Sequence, residues 1–493
     1  MNQHKTTTNK RFHDFIIIGT GASGSVLAHY LSSAGADVCL LEAGKHYRPD
    51  QFPPDELHAN TELMWNGGID PSTDARTVFL RGKVAGGGTI INNCLLDRFD
   101  DIALDDFRNQ SGIDFYNRTT MDKHYQEVEN HLNLEYIPES DWNGNAHLYA
   151  QGFDKLGLKR AALRRGQKGC CNNENDCLVC LGGCPRESKQ SMAVSFLPSA
   201  LAKGAVLKDQ FHVQQIIHGH GHVSVFGIHK GEQQALHARK CILAAGSLGS
   251  TGLLLNSGFG DRLPALGHGF HCHPQFMTIA LMNDNVDSHK GAFQALKSDD
   301  MRFRKQGFKL ENVFAGPAGV ALLKSGFGAS HQQFMAEYRK MACIEVAVRD
   351  EVPGTIKVNN SGRLVIDKPL SDIDRQRAEA GKRQVRDIFH AVNARKIMES
   401  PLCIALHLMG GCNIGQQAAN SVVNEGFHVH GFDNLAIADG SIYPMAPGIN
   451  PSLTIMAQSH RASQSLLAEF GQSISESSPL SFVQNTEKEA VQS

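Results

Sequence analysis

The chain has 493 residues, 41% hydrophobic and 20% charged, with a formal net charge of -2. That length exceeds one ordinary core and predicts a two-lobed globular protein, each lobe large enough to bury an interior. Near-neutral charge gives no footing for a nucleic-acid partner, and no run approaches the ~18 apolar residues of a membrane span.

The N-terminus, MNQHKTTTNKRFHD, is polar and lacks the apolar core of a secretory signal, so a cytoplasmic enzyme is expected. A hydrophobic strand follows at Phe15 to Ile18 and runs into Gly19, Gly21 and Gly24, then into a helix carrying Val26, Leu27, Tyr30 and Leu31. In a strand-turn-helix unit of this spacing, the glycines serve the tight turn, the approach of backbone to a pyrophosphate and the packing of helix on strand. The helix N-terminal amides, with Ser23 among the first residues, then face the phosphates. A second strand, Asp37 to Leu41, ends at Glu42, 18 residues beyond Gly24. A carboxylate there accepts ribose hydroxyls and disfavours a 2'-phosphate.

Further along, RGKVAGGGTIINN (Arg81 to Asn93) is a second glycine-rich loop. The basic run KRAALRRGQK, from Lys159, is read as a solvated helix face, with docking of an acidic electron acceptor as the alternative. It precedes GCCNNENDCLVCLGGCPRESKQS, where Cys170, Cys171, Cys177, Cys180 and Cys184 fall within 15 residues. Without a secretory signal, such density points to metal or redox work before disulfides. CLVCLGGCP resembles part of a bacterial ferredoxin run, which makes an iron-sulfur cluster one reading. A structural zinc or disulfide arrangement, or free buried thiols, are the others.

The HGHGH segment, His218 to His222, separates strand-like QQII and VSVFGI and is expected to be a hairpin turn, not a metal site. Later, EVAVRD, TIKVNN and RLVID alternate like strands of an antiparallel sheet roofing the cofactor, and the stretch from Ser371 reads as a capped amphipathic helix. Residues 471–493, rich in Ser, Gln and Glu, read as a flexible tail. The last third carries ALHLMGGCNIG and NLAIADGSIYPMAPGINPSLT.

Together these stretches resemble the glucose-methanol-choline oxidoreductases, a family that uses FAD to oxidise alcohols. The resemblance covers nearly the whole chain. It implies an α/β fold with a discontinuous Rossmann-like FAD-binding domain, 12–100, 200–267 and 402–470, and an α+β substrate domain with an antiparallel sheet, 101–199 and 268–401. It implies flavin contacts at Gly86, Gly87, Thr89 and Asn92, at Val213 over the adenine, at Ala245 and Gly246, and at Asp439, Gly440 and Pro451. Some members attach the flavin through a histidine where this chain has Ile91, so FAD is expected to be non-covalent.

By the same resemblance His407 is the base that receives the alcohol proton, and Asn450 is the second active-site residue, a histidine in some members. The chemistry agrees. Imidazole suits a base near neutral pH, and an amide beside it can hold the substrate oxygen. His273, in GHGFHCHPQF, is a pocket-wall candidate. The cysteine segment resembles both sugar dehydrogenases with an iron-sulfur cluster and long-chain alcohol oxidases, in which Lys189 and Ser191 find counterparts. A long-chain or sterol-like alcohol is therefore the first expectation, a sugar or cyclitol dehydrogenase relaying electrons through a cluster the second, and a non-redox flavin-containing lyase the third. The electron acceptor would be oxygen, a quinone or a redox protein.

Overall fold

A computed structural model of the chain describes residues 12–170 and 180–476. Its first sheet has a parallel centre in the order Phe432–Ile437, Glu232–Leu243, Phe12–Ile18, Val38–Leu41, Val206–Lys208. Phe15, Ile16, Ile17 and Ile18 are buried, as a strand flanked by parallel neighbours and covered on both faces requires. Helix Gly24–Ser33 crosses from the first strand to the second and packs against the C-terminal helix Ser452–Glu476. The chain therefore leaves the carboxyl ends of adjacent strands at Gly19, Glu42, Ala244 and Ala438, where ligands bind in open α/β sheets. Strands Phe211–Gly219 and His222–His229 form a hairpin beside Glu232–Leu243, and the HGHGH segment is its turn, with Gly221 at φ 74°.

The second sheet is built around the long strands His268–Leu281 and Lys396–Met409, followed by Met341–Val348, Phe308–Asn312, Leu296–Ser298 and Arg160–Ala162. These pairings are antiparallel, as the alternation predicts. TIKVNN and RLVID form the hairpin Gly354–Val358 with Leu364–Asp367. Helix Asp372–Ala391 starts with a capping box, in which the Ser371 hydroxyl accepts from the Asp374 N–H and the Asp374 carboxylate accepts from the Ser371 N–H. Val385, Ile388 and Phe389 of this helix share a core with Leu310, Ile344 and Val346. The opposite face of the sheet is left for the site.

Several stretches sit differently from the sequence reading. Helices Asp101–Ser111 and Arg118–Glu129 bury Phe107 and Tyr125 in the core of the first sheet. Tyr116 donates to Gln458 Oε1 at 2.7 Å, and the Tyr125 and Thr454 hydroxyls lie 2.7 Å apart. The basic run from Lys159 is no helix: it holds strands Arg160–Ala162 and Arg165–Gly166, and Arg165 is buried. The C-terminal helix extends to Glu476, into the stretch read as a tail, and 477–493 lie outside the described residues. Among the described residues no helix is long and apolar enough to cross a membrane.

Candidate active site

Three glycine turns meet at the carboxyl ends of the first sheet. Gly19 has φ 102°, and a Cβ there would lie 2.4 Å from the Ala244 carbonyl oxygen; one on Gly24 would lie 1.9 Å from that of Gly19. A Cβ on Gly21 would have only the Gly87 Cα within 4 Å, at 3.9 Å, so the backbone here is open to a ligand. Gly87, at φ 56°, packs against Gly21 from the second loop, and its neighbour Gly86 has φ 99°. The Ser23 hydroxyl, at the start of helix Gly24–Ser33, is buried and has no partner among the described residues. An orphaned hydroxyl, bare glycine backbone and a helix N-terminus together fit a pyrophosphate, as FAD requires.

Glu42 ties these turns together. Its Oε2 accepts from the Thr20 N–H at 3.1 Å and the Thr20 hydroxyl at 2.6 Å, and its Oε1 accepts from the Gly44 N–H at 2.8 Å. Thr20 Oγ1 in turn accepts from the Gly86 N–H at 3.0 Å, joining the two loops. Burial raises the Glu42 pKa, against the pull of those donors. Thr89 Oγ1 donates to the Gly86 carbonyl at 2.6 Å and accepts from the Met192 N–H at 3.0 Å, while Asn92 Oδ1 accepts from the Cys94 N–H at 3.0 Å.

Asp439 plays the corresponding part in the third turn. It accepts from the Gly246 N–H at 2.8 Å, the Ser250 hydroxyl at 2.6 Å and the Ser441 N–H at 2.8 Å. Gly246, beside Ala245, has φ 74° and open space where a Cβ would sit. The Gly440 carbonyl accepts from the Gly410 N–H at 3.0 Å. Val213 lies opposite Gly227 at a bulge of the hairpin, and Pro451 immediately precedes the C-terminal helix.

His407 stands where strand Lys396–Met409 breaks step with its neighbour. His273 pairs with Leu406 and His271 with Met409, so His407 and Leu408 occupy a bulge, and His407 has φ 55°. Bulges of this kind re-aim side chains beside active sites. The Nδ1 atoms of His407 and His273 are 2.9 Å apart with rings at 85°. The Gly448 N–H donates to His273 Nε2 at 3.0 Å. Neutral His273 therefore carries its proton on Nδ1 and donates to His407 Nδ1, which leaves the His407 proton on Nε2. His407 as a residue is half-buried, and the dense protein around its ring and the charge of Lys309 lower its pKa to about 3. Burial and the neighbouring His407 also push the His273 pKa well below the usual imidazole value.

Two residues beyond Gly448, Asn450 Oδ1 accepts from Lys309 Nζ at 2.5 Å, so the Asn450 amide N–H groups remain to donate elsewhere. Lys309 thus stands between Asn450, which it touches, and His407, whose pKa it depresses. The sequence reading named His407, Asn450 and His273 but not Lys309, which no motif marks.

Cys94, Cys170, Cys180 and Cys184 line one small cavity with Arg165 and Lys189. Cys94 follows the second glycine loop closely and was not among the sequence candidates; burial raises its thiol pKa to about 11. Lys189 donates to the carbonyls of Ile90, Asn92 and Cys180, joining the loop to the cysteine segment. Cys171 and Cys177 lie outside the described residues, and among those described no group of three or more Cys, His, Asp or Glu is placed to hold a metal ion. The iron-sulfur expectation gains no support there.

Two family models, both described as GMC oxidoreductase, match residues 14–275 and 354–459. An uncharacterized GMC-type oxidoreductase of Sinorhizobium fredii is 26% identical, over 92% of this chain and 94% of its own. A long-chain-alcohol oxidase of Arabidopsis thaliana is 24% identical, over 92% of this chain and 67% of its own. The crystal structure of a pyridoxine 4-oxidase from Mesorbium loti superposes with a TM-score of 0.74 at 15% identity, covering 92% of this chain and 98% of that one. With both models matched over more than half its length, the chain belongs to the GMC oxidoreductase family.

Proposed function

We propose that this FAD-dependent oxidoreductase oxidises an alcohol, with His407 handling the hydroxyl proton and Asn450 holding the substrate oxygen. The observation that carries the reading is the hydrogen-bonded chain Gly448, His273, His407 beside the pair Asn450 and Lys309. Bound flavin supplies the acceptor for a hydride equivalent from the alcohol carbon.

The resting pair offers two donors, His407 Nε2–H and the Asn450 amide, to an oxygen that gathers negative charge as its proton leaves. To take that proton on Nε2, His407 must be in its other tautomer: its Nε2 proton passes to water, the shared proton shifts from His273 Nδ1 to His407 Nδ1, and water protonates His273 Nε2, where the Gly448 N–H gives up its acceptor. His273 is thus a positioning residue that fixes the tautomer of His407. Loss of the hydroxyl proton to His407 and of the carbon-bound hydrogen as a hydride equivalent would leave a carbonyl.

The electron acceptor of the reading is oxygen, a quinone or a redox protein. Ile91 offers no nucleophile for attachment, so FAD is held non-covalently: acid precipitation should leave a colourless pellet and a yellow supernatant. The reaction class is tested by adding a panel of alcohols to the oxygen-free protein. Loss of the oxidised-flavin absorbance supports the reading; a flavin that stays yellow with every alcohol, as in a lyase or a binding protein, contradicts it.

A further inference from the structure

Strand register gathers a line of polar side chains that ends at Asn450. Lys309 and Glu311 stand two apart on strand Phe308–Asn312 and so share a face, and Glu311 pairs with Glu345 on strand Met341–Val348. Leu310 and Val346 lie on the other face, in the core shared with helix Asp372–Ala391. Asn93, at the end of the second glycine loop, donates from Nδ2 to Gln294 Oε1 at 2.7 Å, and Gln294 Nε2 donates to Glu311 Oε2 at 3.0 Å. Glu311 Oε1 forms an ion pair with Lys309 Nζ at 2.5 Å, and Lys309 Nζ donates in turn to Asn450 Oδ1.

The chemistry of each link fixes the direction of the next. An ammonium only donates, so the Asn450 atom facing Lys309 is the oxygen. A carboxylate only accepts, so Gln294 turns Nε2 toward Glu311 and leaves Oε1 for Asn93. Reversing either amide would set N–H groups against the ammonium or an oxygen against the carboxylate. Gln294, Glu311 and Asn450 are each at most 5% exposed, so water offers them little alternative. Glu345 adds no second charge: burial and the adjacent Glu311 raise its pKa well above the usual carboxyl range, so it holds a proton.

We propose, resting on the reading above, that Lys309 is a positioning residue: it turns Asn450 so that the amide presents its N–H groups, and not its oxygen, to the substrate oxygen. Glu311 and Gln294 hold Lys309 in place, and Asn93 ties that arrangement to the second glycine loop. Without the ammonium the two orientations of the amide differ little in cost, and part of the molecules would face the substrate with an acceptor. The same ammonium acts on the imidazoles. Of the charged groups near the two rings, Arg304 and Arg349 act on His273, and Lys309 acts on both His273 and His407.

The test is a double-mutant cycle on the purified holoenzyme, read as the limiting rate of flavin reduction by the alcohol that reduces it fastest. Lys309→Met should slow reduction about tenfold, as for a misaligned donor, but should cost less than about twofold on top of Asn450→Ala, because its effect runs through that amide. If Lys309→Met, which leaves Glu311 unpaired, does not fold, Lys309→Met with Glu311→Gln takes its place in the cycle and removes both charges together. Equal losses in the two backgrounds overturn the proposal, as does an unchanged rate in Lys309→Met. A second readout needs no turnover: nuclear magnetic resonance of histidine-labelled holoenzyme, with the His407 signal identified by its absence from His407→Ala. Loss of the cation should move the His407 titration to higher pH. An unmoved titration means that the ammonium is not held beside the ring, and overturns the proposal. A flavin that no alcohol reduces contradicts the alcohol-oxidising reading, while the His407 titration still decides the place of Lys309, so the two fail separately.

Discussion

The ring nitrogens His273 Nδ1 and His407 Nδ1 lie 2.9 Å apart, and the Gly448 N–H on the far side of His273 decides which of them holds the proton. One backbone amide thereby sets the tautomer of the His407 imidazole. Such an arrangement acts through proton position more than through charge, since the pKa values of both rings are depressed by burial.

His273→Asn keeps a group able to donate to His407 or to accept from Gly448, but it cannot exchange a proton between two ring nitrogens as the imidazole does. Flavin reduction should slow on the order of tenfold, as for a weakened general base, with FAD content unchanged. The wild-type rate should be flat across pH 5 to 8, because His407 stays neutral down to about pH 3. The variant's rate should instead rise with pH, since its substrate must ionise without a base held in the accepting tautomer. A variant profile parallel to that of the wild type would reduce His273 to a packing residue.

Acid should destabilise this fold early. Burial lowers His407 to about 3, and His29 and His124 to about 4, from 6.5. A group whose folded pKa is depressed binds more protons when unfolded, so its stabilising contribution is present above pH 6.5 and is lost as pH falls toward the folded value. For His407 the slope is up to about 1.4 kcal/mol per pH unit, with smaller contributions from the other two. Denaturant titrations between pH 7 and 4 should show stability falling throughout; a flat profile would contradict this protonation assignment.

Glu42→Gln keeps the shape of the side chain but turns one acceptor oxygen into a donor facing an N–H or a hydroxyl. The lost contacts should cost about 1 to 3 kcal/mol, seen as a Tm lower by about 1 to 3 °C together with weaker retention of FAD. Unchanged Tm and FAD content would mean that the three contacts to Thr20 and Gly44 do not hold the cradle in shape.

Much of the cradle was legible because its signals are local. Gly19, Gly21, Gly24, Gly86 and Gly87 lie in short motifs whose backbone needs are visible in the residues themselves, and Ser371 with Asp374 forms the box its spacing predicts. Glu42 and Asp439 also brace turns through three hydrogen bonds each, work no motif distinguishes from holding a ligand. The network of Lys309, Glu311, Glu345 and Gln294 was illegible, since its members come from separate segments and meet only through strand register and a buried glutamine. Helices Asp101–Ser111 and Arg118–Glu129 join the first core through tertiary hydrogen bonds to helix Ser452–Glu476, which amphipathic patterning alone does not reveal.

His407→Ala, mixed with a substrate alcohol in the absence of oxygen, tests the central claim most directly. The variant should fold and retain FAD, because His407 braces none of the three glycine turns, yet its flavin should be reduced more slowly by about two orders of magnitude or more. Reduction at a near-normal rate would contradict the account and move proton transfer to another group.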